Sequence, residues 1–232
     1  GTCPSLLVEP QRANLALQSS SFDSASWGKT ASSVTANTTT SPNGVQDADT
    51  LTADGSFGLH ALTQAGNSIN GTTYTHSIYA KKNTNDFIQL FGTFSIYTTS
   101  TVYANFDLNL GVVGSVGAGT TASIQDIGNG WYRCTMTATA TATTTGNFIA
   151  PCLVTSATST RAESNNLTTS VFIWGAQLVE GTNVLPYQKT ETRLNIPRLD
   201  YSNGTCPSLL VEPQRTNTIL NSVLSGTTSL PT

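Results

Sequence analysis

Two neighbouring carboxylates, Asp47 and Asp49, are the residues whose types and spacing come closest to a catalytic or metal-binding pair. Glycoside hydrolases need two carboxylates roughly 5–10 Å apart, and residues two apart on a strand point to the same face. Carboxylate oxygens on one face could equally bind calcium. A solvated strand face explains the pair without any chemistry and is the preferred interpretation, with a structural calcium site as the alternative.

Nucleophilic catalysis has no recognisable motif in the chain. The Gly-x-Ser-x-Gly elbow is absent, and the stretch that most resembles it, GSVG from Gly114 to Gly117, has the wrong spacing. His60 and His76 each lie in an alternating segment without a partner nearby in sequence, as ordinary strand histidines do. The sequence therefore predicts a protein that is not an enzyme and needs no cofactor.

Sugar binding is the more plausible chemistry, because aromatic rings that stack and polar groups that bond hydroxyls occur on the predicted solvent-facing sides of three strands. The candidate glycan-binding residues are Tyr79, Tyr103, Asn105, Asp107 and Arg133. Sequence alone does not establish that these strands are neighbours. The alternative is that Tyr79 and Tyr103 pack under loops or against another subunit.

Composition narrows the class of partner. The chain has 232 residues, of which 10% are charged, and a formal net charge of −3. Phosphate binding requires a basic face, so nucleic acid is not expected as a partner. No stretch of about eighteen apolar residues occurs, so membrane insertion is not expected either.

The candidate side chains are positioned by strands, and the alternation of apolar and polar residues shows where those strands lie. Residues 102–110 alternate throughout, which predicts one buried face ending at Leu110 and one solvent-facing side carrying Tyr103, Asn105 and Asp107. Asp54-Gly55 predicts a hairpin between two short strands. About nine or ten such strands predict an all-β, antiparallel β-sandwich, most simply a jelly roll, with a barrel as the alternative.

The expected core follows from the same alternation. It comprises Phe91 or its neighbours, Phe106, Leu108, Tyr132, Met136, Phe172, Trp174 and Leu178. Cys134 and Cys152 could face each other across a hairpin and form a disulfide, but small buried hydrophobes are the preferred interpretation.

A segment of fourteen residues occurs twice and sets the domain organisation. Gly1–Asn14 and Gly204–Asn217 differ only at Ala13 and Thr216, and they begin 203 residues apart. This spacing is the length of a domain, which predicts a first connector at 1–14, a module at 15–187, a linker at 188–203, and a second connector with the start of a following module at 204–232. Each copy carries a short apolar run that we expect to dock on a module: Leu6, Leu7 and Val8 in the first, and Leu209, Leu210 and Val211 in the second.

Several motifs also carry a resemblance to a known family. The ordered set LLVEPQRTN, FDSASW, YTHSIYAKK, IGNGWYRC and FIWGAQLVEG resembles the carbohydrate-binding-module-like jelly-roll domain of bacteriophage tail fibres, tail spikes and head fibres. The resemblance implies a virion surface protein, usually multimeric and often trimeric, with a structural or glycan-recognition role.

Two functional hypotheses remain. The first is a structural and adhesive module of a phage virion fibre or similar extracellular appendage, in which copies form a trimer, another homo-oligomer or a head-to-tail filament. The second is a lectin-like domain that binds glycan on the host cell surface. A polysaccharide-degrading enzyme is a remote third.

Overall fold

Strands alone provide the regular structure of the residues that the computed structural model describes. These are residues 14–93, 96–97 and 101–190, together with 198–200 and 208–210, and for residues 147–149, 198–200 and 208–210 only the backbone is described. The chain divides into two compact units, Glu9–Thr192 and a smaller one formed from Gly1–Val8 and Arg193–Thr232. Within the described residues, no helix is long and apolar enough to cross a membrane.

One antiparallel sheet of the larger unit contains six strands in the order β2-β3-β13-β5-β10-β9. Its strands are rich in Thr, Val, Ile and aromatic residues, which favour extended backbone. They are β2 (Ser32–Thr39), β3 (Ala48–Ala53), β5 (Thr73–Lys82), β9 (Thr120–Gly128), β10 (Trp131–Thr139) and β13 (Ser170–Glu180).

A second antiparallel sheet contains seven strands in the order β1-β4-β12-β6-β7-β8, with β11 pairing along the far half of β4. Its strands are β1 (Gly28–Thr30), β4 (His60–Ser68), β6 (Phe87–Phe91), β7 (Tyr103–Asp107), β8 (Val112–Val116), β11 (Thr144–Ile149) and β12 (Pro151–Leu153). The protein is therefore an all-β antiparallel sandwich, as the sequence predicts.

The main core lies between the two sheets and contains most of the expected residues. Phe106, Leu108, Met136 and Leu178 are fully buried in it, and Tyr132 packs against it from a half-buried position. Phe91 belongs to a separate apolar cluster, and its neighbour Leu90 faces the main core.

The long alternation over residues 102–110 is confirmed at Val102, Ala104, Phe106 and Leu108, which all enter the core. It fails at Leu110, whose side chain is 67% exposed. β7 ends at Asp107, and the Asp107 Oδ1 atom accepts hydrogen bonds from the backbone N–H groups of Asn109 and Leu110, both at 2.9 Å. This turn redirects the chain before Leu110 can reach the core.

The hairpin predicted at Asp54-Gly55 is wrong. Gly55 does occupy a turn with φ of +83°, but the strands on either side, β3 and β4, belong to different sheets. The turn therefore carries the chain from one layer of the sandwich to the other, because both strands bury their apolar faces against the shared core.

The two described cysteines are buried and free, which confirms the preferred interpretation. Cys134 lies on β10 in the six-stranded sheet, while Cys152 lies on β12 in the other sheet, so no hairpin joins them. Burial raises the pKa of both thiols, which keeps them protonated.

The smaller unit contains a two-stranded antiparallel ladder among its described residues. β14 (Arg198–Asp200) pairs with β15 (Ser208–Leu210), with Leu199 opposite Leu209. The second copy of the repeat thus pairs with the segment that the sequence assigns to the linker. A two-stranded ladder is marginally stable by itself.

Candidate functional site

An aromatic cluster with one arginine occupies the outer face of the six-stranded sheet, the face turned away from the main core. Arg133 on β10 and Trp174 on β13 both pair with Tyr79 on β5, so the three residues form one row across adjacent strands. The Arg133 guanidinium carbon lies 5.4 Å from the centre of the Tyr79 ring, a cation–π distance. The Tyr79 and Trp174 rings meet edge to face at 5.2 Å. Tyr79 and Arg133, two of the predicted glycan-binding residues, are therefore direct neighbours.

Trp174 faces this outer cluster rather than the sandwich core, so its predicted place in the core is wrong. Pairing between β13 and β5 shifts register between Trp174 and Gln177, and Gly175 has φ of +61°. The extra residue of this bulge reverses the alternation. Ile173 and Ala176 consequently enter the core. Phe172, also expected in the core, packs with Trp174 in the outer cluster.

A segment after β13, residues 185–190, covers the cluster and is called the strap below. Arg133 Nη2 donates to the Leu185 carbonyl oxygen at 2.7 Å. Gln177 Oε1 accepts a hydrogen bond from the Gln188 backbone N–H at 2.9 Å. The Tyr187 ring lies 4.6 Å from the Trp174 ring. Backbone and side-chain bonds therefore hold the strap on the sheet.

Burial changes the electrostatics of the cluster. It lowers the pKa of Arg133, and it raises the pKa of Tyr187 to about 12 although the Ser19 hydroxyl bonded to it acts in the opposite direction. Arg133 Nε and Trp174 Nε1 are buried, and neither has a hydrogen-bond partner among the residues that the structure describes. An unsatisfied buried donor costs about 1–3 kcal/mol, so a polar acceptor reaching either atom would be stabilised. Stacking and hydrogen bonding are the chemistry that this cluster can supply.

The other three predicted glycan-binding residues lie on β7 in the opposite sheet, so the five do not form one site. Their predicted exposure to solvent is also wrong. Asn105 is completely buried, Asp107 is 7% exposed, and Tyr103 is half-buried against a small apolar cluster.

A loop between β12 and β13 covers that face of β7. Asn105 Nδ2 donates to the carbonyl oxygens of Ser159 at 2.7 Å and Ala157 at 3.2 Å. The Gln89 side chain beside it donates to Asn105 Oδ1 at 2.6 Å and accepts from the Ala162 N–H at 2.7 Å. The polar groups predicted to bind hydroxyls are thus bonded to the chain's own backbone.

Asp47 and Asp49 have different surroundings, and Asp49 does not lie on a solvated face. Asp49 is 1% exposed, and its two oxygens accept backbone N–H bonds from Phe22 at 2.8 Å and Asn37 at 3.0 Å. Burial raises its pKa, and these two bonds act in the opposite direction. Asp47 Oδ2 accepts a bond from Asn43 Nδ2 at 3.1 Å. Nowhere in the described part of the chain do three or more His, Cys, Asp or Glu side chains cluster as a metal site would require.

The predicted docking residues Leu6, Leu7, Val8 and Val211 lie outside the described residues, and only the backbone of Leu209 and Leu210 is described. The docking of these runs therefore stays a prediction.

Sequence reasoning missed Trp174 and Tyr187 as members of the outer cluster. Gly175 within a strongly apolar strand pattern was the available indication, because an isolated glycine in a strand often marks a bulge. Tyr187 lies in a segment with no strand pattern, and only the folded chain places it over the sheet.

The chain shows little similarity to known proteins. No family model and no curated protein matches the chain. The solved structure of the enzymatically active domain of tailspike protein 4 from bacteriophage CBA120 aligns with a TM-score of 0.39 and 13% identity. The alignment covers 72% of this chain but 21% of that one, so the chain spans about a fifth of its length. A likeness at this level carries no argument about function.

Proposed function

We propose that the chain is a structural and adhesive module of a phage virion fibre or a similar extracellular appendage, and that it is not an enzyme. The observation that carries this proposal is that the chain's own segments already bond candidate glycan-binding side chains on the outer faces of both sheets. The Asn105 side chain on one face and the Arg133 side chain on the other bond to backbone carbonyls of those segments. Asp49, one of the two candidate acids, is occupied by backbone N–H groups.

The strand order supports the jelly-roll assignment within this proposal. The central strands are β3-β13-β5-β10 in one sheet and β4-β12-β6-β7 in the other. Consecutive strands such as β3 and β4, or β5 and β6, fall in opposite sheets, as expected when two Greek keys are wound together.

The proposed partners are copies of the chain itself, arranged as a trimer or as a head-to-tail filament on the virion surface. The near-identical segments at Gly1–Asn14 and Gly204–Asn217 support this assembly, because equivalent segments can dock on equivalent surfaces. A head-to-tail contact is heterologous and either closes into a ring or continues as a filament. The low charged fraction, 10%, also favours self-association.

Replacing Leu210 by Asp is expected to separate assembled modules while leaving each sandwich folded. The charged side chain would lose the free energy of burying the leucine, which is about 1.5–3 kcal/mol. Sedimentation at micromolar concentration should give a smaller particle for the variant than for the original chain, with unchanged far-ultraviolet circular dichroism. Thr216→Ala, which makes the two repeats identical, is the matched control and should sediment as the original does. A monomeric original chain, or a variant that assembles normally, would contradict the proposal.

A lectin-like role that recognises host surface glycan is the second candidate. Two buried donors favour it, Arg133 Nε and Trp174 Nε1, because they have no partner within the described part of the chain and border packed aromatic rings. A sugar hydroxyl that displaced part of the strap could accept from either donor.

A glycan array probed with the full chain distinguishes the two candidates. We expect no specific binding, because the strap already engages the cluster. A lectin would instead bind defined glycans, and Trp174→Phe, which keeps an aromatic ring but removes the donor, should weaken that binding about tenfold for the loss of roughly 1.4 kcal/mol. Tyr103→Phe on the other sheet is the control and should leave binding unchanged. Specific binding with this pattern would replace our first proposal by the second.

A further inference from the structure

The chain enters the sandwich through a short segment, Asn14–Ser19, that is called the N-terminal clip below. The Asn14 side chain is 1% exposed. Its Nδ2 donates to the carbonyl oxygens of Ala176 at 3.0 Å and Gln188 at 2.8 Å. Its Oδ1 accepts from the backbone N–H groups of Leu178 and Ala16, both at 3.0 Å. All four hydrogen-bonding positions of this amide are therefore used.

Ser19 fixes the other end of the clip. Its hydroxyl bonds the Tyr187 hydroxyl at 2.7 Å and accepts from the Thr190 N–H at 2.9 Å. The backbone N–H of Ser19 donates to the Thr190 carbonyl at 3.2 Å, and its carbonyl accepts from the Ala176 N–H at 2.8 Å. The clip is thus bonded both to β13 and to the strap.

The surface that receives the clip is a notch formed by the bulged half of β13, Gly175–Leu178, and the end of the strap, Gln188–Thr190. Pairing between β13 and β3 ends at Ile173, so a strand edge beyond the bulge needs another partner. The clip supplies it, since the Leu15 N–H donates to the Leu178 carbonyl at 2.8 Å.

The residues that anchor the clip recur near the C-terminus. With the offset of the repeated segment, the anchors Asn14 and Ser19 correspond to Asn217 and Ser222, and Leu17 between them corresponds to Leu220. Leu220 and Ser222 lie beyond the fourteen near-identical residues, in a stretch where other positions differ. The two copies therefore keep both polar anchors of the clip.

The two clips differ at three positions, and at two of them the second clip's residue suits the backbone and burial seen in the first clip. Gln18 has φ of +48°, and its counterpart Asn221 belongs to the residue type that tolerates this left-handed region best. Leu15 is 38% exposed, so Thr218 is acceptable there. Ile219 corresponds to Ala16, which is completely buried, and docking requires room for three more carbon atoms.

We propose that residues Asn217–Ser222 form a second clip, which docks in the notch of another copy of this sandwich and there takes the place of that copy's own N-terminal clip. The inference rests on the proposed chaining of modules and adds the docking surface and the anchoring residues. Asn217 makes the four bonds of Asn14, and Ser222 those of Ser19.

The test replaces the sequence of the N-terminal clip by that of the second clip, in the full chain. A variant carrying Leu15→Thr, Ala16→Ile and Gln18→Asn has the second clip's sequence at residues 14–19. We expect it to unfold cooperatively. We also expect Asn14→Ala to lower its thermal midpoint by about 5–10 °C, as in the original background, because the same buried bonds are lost. Ser19→Ala tests the other anchor in the same way, and it should lower the thermal midpoint in both the triple variant and the original chain.

The inference would be overturned if the triple variant unfolds without cooperativity. It would also be overturned if neither Asn14→Ala nor Ser19→Ala lowers the thermal midpoint of that variant. A variant with Leu15→Thr and Gln18→Asn alone is the matched control. If it keeps the dependence on Asn14 while the triple variant does not, Ile219 does not fit this notch and the inference is equally wrong. The outcome concerns fit within one molecule, so it is independent of the sedimentation result for Leu210→Asp.

Discussion

Replacing Phe106 by alanine is expected to lower the free energy of unfolding by about 3–5 kcal/mol. Phe106 is completely buried on β7, opposite Ile88 on β6 and Val113 on β8. Removing the ring loses its transfer free energy and leaves a cavity that the two paired strands hold open. Denaturant titration at constant slope measures the effect as a shift of the midpoint.

Leu110→Ala is the matched control for this measurement. Strict alternation would put both side chains in the core, but Leu110 is 67% exposed, so its truncation should change stability by no more than about 0.5 kcal/mol. Equal losses for the two variants would show that β7 continues past Asp107 in solution. An unchanged midpoint for Phe106→Ala would remove that residue from the core.

Stability is expected to fall by about 3 kcal/mol between pH 6.5 and pH 4 because of one buried histidine. His76 is 1% exposed within the sandwich, and its Nε2 lies 3.4 Å from the Tyr97 hydroxyl. Burial lowers its pKa to about 4. The unfolded chain, with a pKa near 6.5, therefore binds a proton in this range that the folded protein excludes. The contribution is complete above about pH 6.5 and is lost as the pH falls.

His76→Gln isolates this contribution, because glutamine remains neutral throughout the range. The difference in unfolding free energy between the original chain and the variant should change by about 1.2 kcal/mol per pH unit between pH 6 and pH 4.5. Every other titratable group is present in both proteins, so its contribution cancels in the difference. A difference that does not depend on pH would show that His76 is accessible to protons in the folded state.

The strands themselves could be predicted well, because alternation is local and burial of one face enforces it. Residues 102–108 and 132–138 have the faces that their sequence indicates. Prediction failed where a single residue altered the backbone. The bulge at Gly175 moved Trp174 from the core to the outer face, and the turn at Asp107 moved Leu110 into solvent.

The candidate site could be predicted only in part. Tyr79 and Arg133 were correctly placed on the outer side of their strands, and pairing of β5 with β10 brings them together. Their predicted exposure to solvent is wrong, because both are buried there. Tyr103, Asn105 and Asp107 have the same alternation, yet they belong to the other sheet. Strand order depends on contacts between residues far apart in sequence, and no local pattern records it.

Sequence by itself determined the all-β class and the repeated segment, since strand alternation and fourteen positions that match at all but one are properties of the chain alone. Only the tertiary structure decided which polar side chains remain free. The face of β7 was expected to meet solvent, but the loop after β12 and the strap after β13 bring their backbone carbonyls to Asn105 and Arg133. A segment without regular pairing must satisfy its own backbone groups, and it does so here by bonding the side chains that alternation had assigned to solvent.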